Sequence, residues 1–142
     1  RTMIINAEKD GPQWSFKNDK RVTRIGKILR KTRIDEIPQL VTVIKGDMSL
    51  IGPRPERPEI DIKLSKEIVN YDLKFLAKPG LSGWAQVNYP YGASKSDSEI
   101  KLSYDIFYIK NFSFFLDFLI FFKTMRLVFN AEGSNPENSE KI

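Results

Sequence analysis

The sequence predicts an α+β fold, a single mostly helical domain with a small strand component. Three observations carry this. A chain of 142 residues has room for one hydrophobic core. With 41% hydrophobic and 29% charged residues it can bury that core. Most of its apolar residues recur at helical spacing, and only the stretch Trp84-Ala85-Gln86-Val87-Asn88-Tyr89, after the turn-rich Lys78-Pro79-Gly80-Leu81-Ser82-Gly83, reads as a strand. The expected domain covers residues 1–130, with a loose polar tail at 131–142.

The first element is basic. Lys17 to Arg33 holds eight basic residues against one acid, Asp19, giving +7, while the rest of the chain sums to −2. Val22, Ile25, Ile28 and Leu29 mark an amphipathic helix over about Lys20–Lys31, with Asn18 or Asp19 as its N-cap. A solvated charged face is the ordinary explanation. Eight like charges on one short segment nevertheless favour an anionic partner.

A second helix follows from Asp35-Glu36-Ile37-Pro38-Gln39-Leu40. Asp35 suits an N-cap, Pro38 suits a first turn, and Gly46 suits the residue just past the end. Ile37, Leu40, Val41 and Ile44 supply its apolar side. Acidic residues at such a position are often caps and nothing more. From Asp47 to Pro58, three prolines and a glycine within seven residues predict an irregular loop that holds Arg54 between Pro53 and Pro55.

Glu59–Leu76 reads as wholly or partly helical, with Ile60, Leu64, Ile68 and Leu73 or Phe75 facing inward. Ser96 and Glu99 form a capping-box pattern opening a helix to about Lys110, with Ile100, Tyr104, Phe107 and Tyr108 on one side. Phe112–Phe129 is the most unusual stretch. Thirteen of its eighteen residues are apolar and seven of the ten phenylalanines fall in it, with Ser113 as the cap. It suits a core helix or, with Lys123 and Arg126 near its end, an amphipathic helix at a membrane interface. No run reaches the roughly 20 apolar residues needed to span a bilayer, and no signal peptide is visible.

The chain has no cysteine and no histidine. Disulfides, thiol nucleophiles, Cys or His zinc sites and imidazole bases are thereby excluded. Nucleophilic or proton-transfer chemistry falls to carboxylates, lysine, tyrosine, hydroxyls or a bound metal.

In sequence order, Arg1-Thr2-Met3, Arg24-Ile25-Gly26, Asp35-Glu36-x-Pro38-Gln39-Leu40 and Lys45 through Glu56 resemble the bacterial sugar transferase family. These are the monotopic polyprenyl-phosphate hexose-1-phosphate transferases. The resemblance continues through Lys78–Asn88 and Lys101-Leu102-x-Tyr104-Asp105-x-x-Tyr108-Ile109-Lys110 and covers about 1–129. Many relatives carry an arginine soon after Trp-Ala-Gln-Val-Asn, where this chain reads Tyr89-Pro90-Tyr91. Relatives also carry a membrane-embedded helix ahead of the Arg1 block, so the chain, starting at Arg1, reads as a catalytic domain lacking that helix.

The resemblance implies transfer of a sugar 1-phosphate from a nucleotide sugar, with UDP as the nucleotide, to polyprenyl phosphate. A covalent phosphosugar–aspartate would be the intermediate. The product would initiate a surface glycan of exopolysaccharide, capsule or O-antigen type. It makes Asp35 and Glu36 the catalytic pair and Mg2+ the cofactor, with Glu36 and Asp35 as its ligands. A carboxylate nucleophile agrees with the composition, and a helix N-terminus favours both an ionised Asp35 and a bound phosphate. Arg54, flanked by Pro53 and Pro55, and Arg30 are the expected phosphate clamps, with Asp105 a further substrate-site or metal candidate, or one that only steadies the fold. The implied location is the cytoplasmic face of the bacterial inner membrane, on an anionic lipid surface, with a homo-oligomer allowed and no nucleic acid bound.

Two rivals use the basic segment 17–33 without catalysis. A nucleic-acid module would show oligonucleotide affinity falling steeply with salt. A membrane-surface adaptor would bind anionic vesicles with Asp35 irrelevant.

Overall fold

The computed structural model describes residues 2–9, 11, 19–89, 92 and 94–130. Asn18, Pro90, Tyr91 and the expected tail lie outside the described residues.

The basic helix α1 runs Arg24–Lys31, four residues shorter at its start than its apolar spacing predicts. Val22 is instead bridged to Met3 in antiparallel fashion, and Lys20–Arg21 forms a turn. Thr23, not Asp19, caps the helix, accepting from the Gly26 N–H at 2.9 Å. Asp19 is buried and accepts from the backbone N–H and guanidinium of Arg21 at 2.7–3.1 Å.

After Arg33, whose φ is +57°, the chain makes a 3-10 turn, Ile34–Glu36, and passes into α2, Ile37–Ile44. Asp35 is therefore part of the turn and not the helix cap. Pro38 lies in the first turn of α2, and Gly46, at φ +84°, supplies the left-handed exit that a Cβ would resist.

The strands lie where turns were expected. Ser49–Ile51 (β1) pairs in parallel with Gly80–Ser82 (β2), Ser49 opposite Gly80 and Ile51 opposite Ser82. The parallel pairing is closed by a crossover through α3, Pro58–Glu67, and a 3-10 helix, Tyr71–Leu76. A Cβ on Gly80 would collide with the backbone of Gly52, so glycine sets how closely these segments approach. Trp84–Asn88, expected as a strand, is the short helix α4. The Gln86 side chain accepts the Gly83 N–H at 2.9 Å, and Asn88 donates to the Trp84 carbonyl at 2.8 Å. These local bonds favour the helical turn over extension.

Helix α5 runs Lys95–Lys110. Its capping box is Ser94 with Asp97, two residues earlier than the Ser96–Glu99 pattern suggests. Asp97 accepts from both the Ser94 hydroxyl and the Tyr89 phenol, and these bonds, the first above all, hold its carboxyl below the usual range. Ser94→Ala should therefore cost about 1 kcal/mol in urea unfolding and Ser96→Ala almost nothing. Equal losses would return the cap to Ser96. Helix α6 runs Phe114–Phe129 with Ser113 accepting from Leu116 N–H as expected.

The core has two clusters. Leu64, Ile68, Tyr71 and Leu102 join α3, the second 3-10 helix and α5. Ile51, Tyr108 and Ile120 join β1, α5 and α6. Of the expected apolar sides, Leu64, Ile68 and Tyr108 are buried, whereas Ile100, Phe107 and both alternatives, Leu73 and Phe75, are exposed; Tyr71, Leu102 and Asp105 face inward instead. Ile120 is the one α6 residue that is fully buried among those described. Phe114, Phe115, Phe118, Phe122 and Phe129 are more than half exposed, so α6 is not the apolar centre of the core.

Candidate active site

Asp35 and Glu36 are placed by the tight turn between α1 and α2, at the edge of a cavity of about 610 Å³. Arg30, Arg54, Pro55 and Asp105, all expected site residues, line the same cavity. Pro53 is buried behind it, its carbonyl accepting the Gly80 N–H at 2.9 Å, which fastens the Pro53-Arg54-Pro55 segment to β2.

One oxygen of the pair is heavily engaged. Glu36 Oε1 accepts from Arg54 Nη2 at 2.9 Å and from Arg33 Nη1 at 3.0 Å. Arg54 Nη1 donates to the Leu81 carbonyl at 2.8 Å. Its planar fork thus ties Glu36 to the β2 strand, a geometry that a lysine ammonium cannot reproduce. Arg54 is a positioning residue for Glu36 as well as a cation on the cavity wall. The sequence reading missed Arg33. Its signal was only a basic residue three positions before an acid, because its left-handed φ of +57° puts it outside both flanking helices.

The neighbouring carboxylate is different. Asp35 Oδ1 is buried and has no hydrogen-bond partner. A buried polar atom left so is costly, and a ligand or cation that satisfies it recovers the loss. Asp35 is also flanked by Arg33, with Arg30 and Arg54 in the same wall, so anionic groups entering the cavity meet three guanidiniums. Two carboxylates here, Asp35 with its unpartnered Oδ1 and Glu36, could hold a divalent cation. Among the described residues no three acids cluster as a metal cage. Asp35 and the second oxygen of Glu36 can serve as two protein ligands for a cation whose remaining ligands are phosphate oxygens and water, the ordinary mode for magnesium on nucleotides.

Asp105, on α5, is 5% exposed, and its Oδ1 also has no hydrogen-bond partner. Burial pushes its carboxyl up to about 7, with Lys74 and Lys101 opposing and Glu56 adding to the rise. Sequence reasoning also missed the group beside it. Lys74, 6% exposed, donates to the Tyr71 hydroxyl at 3.1 Å and reaches Asp61 at 3.4 Å, while Tyr71 donates to Asp61 at 2.7 Å.

The surface of the described residues is unusually apolar, within the cavity mouth and beyond it. Eight hydrophobic residues are buried among those described, against 25 large ones exposed. The exposed set includes Ile37, Val41 and Ile44 of α2 and the phenylalanines of α6. No helix among the described residues is long and apolar enough to cross a membrane.

Residues 1–131 match the family described as bacterial sugar transferase. Over 134 residues the chain is 49% identical to the UDP-N-acetylgalactosamine-undecaprenyl-phosphate N-acetylgalactosaminephosphotransferase of Aeromonas hydrophila, covering 94% of this chain and 32% of that protein. It is 40% identical over 138 residues to the UDP-glucose:undecaprenyl-phosphate glucose-1-phosphate transferase of Caulobacter vibrioides, covering 94% of this chain and 51% of the relative. With the undecaprenyl-phosphate galactose phosphotransferase of Salmonella typhimurium the identity is 39% over 127 residues, covering 89% and 25%. The chain spans about a third or less of the length of several of the curated relatives it matches.

Proposed function

Because the chain belongs to the bacterial sugar transferase family, we propose that it transfers a sugar 1-phosphate from a UDP-sugar to a polyprenyl phosphate with Asp35 as nucleophile. The observation that carries this is Asp35 itself, a carboxylate with a buried, unpartnered oxygen in a cavity walled by arginines. In a chain without histidine or cysteine, a carboxylate is also the natural phosphoryl acceptor.

An Asp35 oxygen attacks the sugar-bearing phosphorus of the donor. The new P–O bond forms as the bridging P–O bond breaks, and UMP leaves with that electron pair. The lipid phosphate oxygen then attacks the same phosphorus, the aspartyl P–O bond breaks, and the Asp35 carboxylate returns. Arg30, Arg33 and Arg54 hold the diphosphate in place and offset its charge, and Arg54 keeps Glu36 beside the reacting centre. A magnesium ion held by Asp35 and Glu36 would neutralise charge building up on the leaving phosphate.

Turnover of UDP-sugars with polyprenyl phosphate, followed by UMP release, tests the reading. Excess chelator should abolish release and added Mg2+ should restore it; undiminished release would remove the metal. Arg54→Lys should lose the Glu36–Leu81 bridge and impair transfer by on the order of 1.5–3 kcal/mol. Near-normal kinetics would leave Arg54 with no role beyond the loop.

The acceptor's phosphate lies at a bilayer surface, here the cytoplasmic face of the inner membrane, and the chain carries two features suited to it. The cations of α1 attract anionic headgroups, each favourably placed one contributing about 1 kcal/mol that salt screens away. The exposed phenylalanines of α6 can enter the acyl boundary, a contribution that salt leaves largely intact. Binding to anionic vesicles should therefore have salt-sensitive and salt-resistant parts, the second weakened in Phe118→Ser plus Phe122→Ser. Wild-type chain that ignores such vesicles at low salt would remove both features as anchors.

A further inference from the structure

The cavity wall built by α5 and the Tyr71–Leu76 helix carries polar groups that phosphoryl transfer to Asp35 leaves unused. Asp105 stands there with its Oδ1 unpartnered and 95% of the residue hidden from solvent. Lys74 and Lys101 line the same wall, and Glu56 faces it from the loop beyond Arg54. Lys74 is held over the Tyr71 ring at 4.8 Å and fixed by Tyr71 and Asp61, so its charge is anchored in place. Lys101 donates to the Gly92 carbonyl at 2.7 Å.

This chemistry selects its ligand. A phosphate would meet repulsion from Asp105 and Glu56, and a divalent cation would meet repulsion from Lys74 and Lys101. Neutral hydroxyl groups suit the mixed wall, since a hydroxyl donates to a carboxylate oxygen and accepts from an ammonium. A hydroxyl bound there would also satisfy the orphaned Oδ1.

Resting on the transferase reading, we propose that Asp105 accepts hydrogen bonds from hydroxyl groups of the nucleotide sugar, so that this wall holds the neutral part of the donor while the arginines hold its diphosphate. The hydroxyls belong to the ribose or to the hexose, and binding measurements separate the two. The full chain and its Asp105→Asn variant are titrated with UDP-N-acetylgalactosamine and with UDP. A hexose contact weakens the variant's binding of the nucleotide sugar by about tenfold and leaves UDP unchanged, whereas a ribose contact weakens both by that factor. A variant that stays folded and binds both ligands like wild type overturns the proposal and makes Asp105 a structural acid. Wild-type chain that binds neither ligand overturns the transferase reading itself.

Should the variant not fold, the wild type suffices. It is titrated at pH 6 and pH 8 with UDP-galactose and with its analogues deoxygenated at each hexose or ribose hydroxyl. One hydroxyl should confer an affinity advantage that grows with pH as Asp105 passes from acid to carboxylate around 7. An advantage at no position, or one independent of pH, overturns the assignment.

Discussion

Asp35→Asn should abolish UMP release while leaving the chain folded. The amide keeps the shape of the carboxylate but is a far weaker nucleophile, and it cannot form the aspartyl phosphate. Stability should change little, because Asp35 makes no cap bond and its Oδ1 has no partner to lose. Thermal melting and UMP release measured on one preparation separate the two effects. Substantial turnover in a folded variant would take Asp35 out of the reaction. Glu36→Gln should fall less completely, since a neutral Oε1 still accepts from Arg33 and Arg54 but holds a cation poorly.

Asp105→Asn should alter stability in a pH-dependent way. The folded-state pKa of Asp105, about 7, lies above the 3.8 of an ordinary aspartate. The folded protein then binds the proton more tightly than the unfolded chain. Wild-type stability contributed by this group is fully present below about pH 4 and is lost as pH rises towards 7. The loss is on the order of 4 kcal/mol, from about 1.4 kcal/mol per pKa unit. The asparagine variant has no such proton, so it should gain on wild type between pH 4 and 7 in urea unfolding. A constant difference across that range would mean that Asp105 is paired in solution.

The reading from sequence succeeded where local rules decide. Pro38 in the first turn of α2, Gly46 at its exit and the proline-braced loop around Arg54 followed from short-range rules, whereas the 3-10 turn that carries Asp35 did not. The Ser113 cap and the span of α6 followed from the same rules. Strands β1 and β2 were illegible because three residues hold no periodicity, and their pairing depends on Gly52 and Gly80 meeting from 28 positions apart. The α5 cap moved because Asp97 answers Ser94 and also binds Tyr89, a second partner that Glu99 lacks. The Asp61–Tyr71–Lys74 group was invisible for a related reason. A lysine near a tyrosine usually marks a wet surface, and only packing of the 3-10 helix on α5 buries it.

The central claim is a covalent phosphosugar on Asp35, and mass spectrometry of the acid-quenched chain tests it most directly. After brief incubation with UDP-N-acetylgalactosamine and Mg2+ but no lipid acceptor, the tryptic peptide Ile34–Lys45 should gain one N-acetylhexosamine phosphate. Fragmentation should place it on Asp35, one UMP should be released per adduct, and polyprenyl phosphate should discharge it. Rapid UMP release on adding lipid, with that peptide unmodified or the adduct on another residue, would contradict the account.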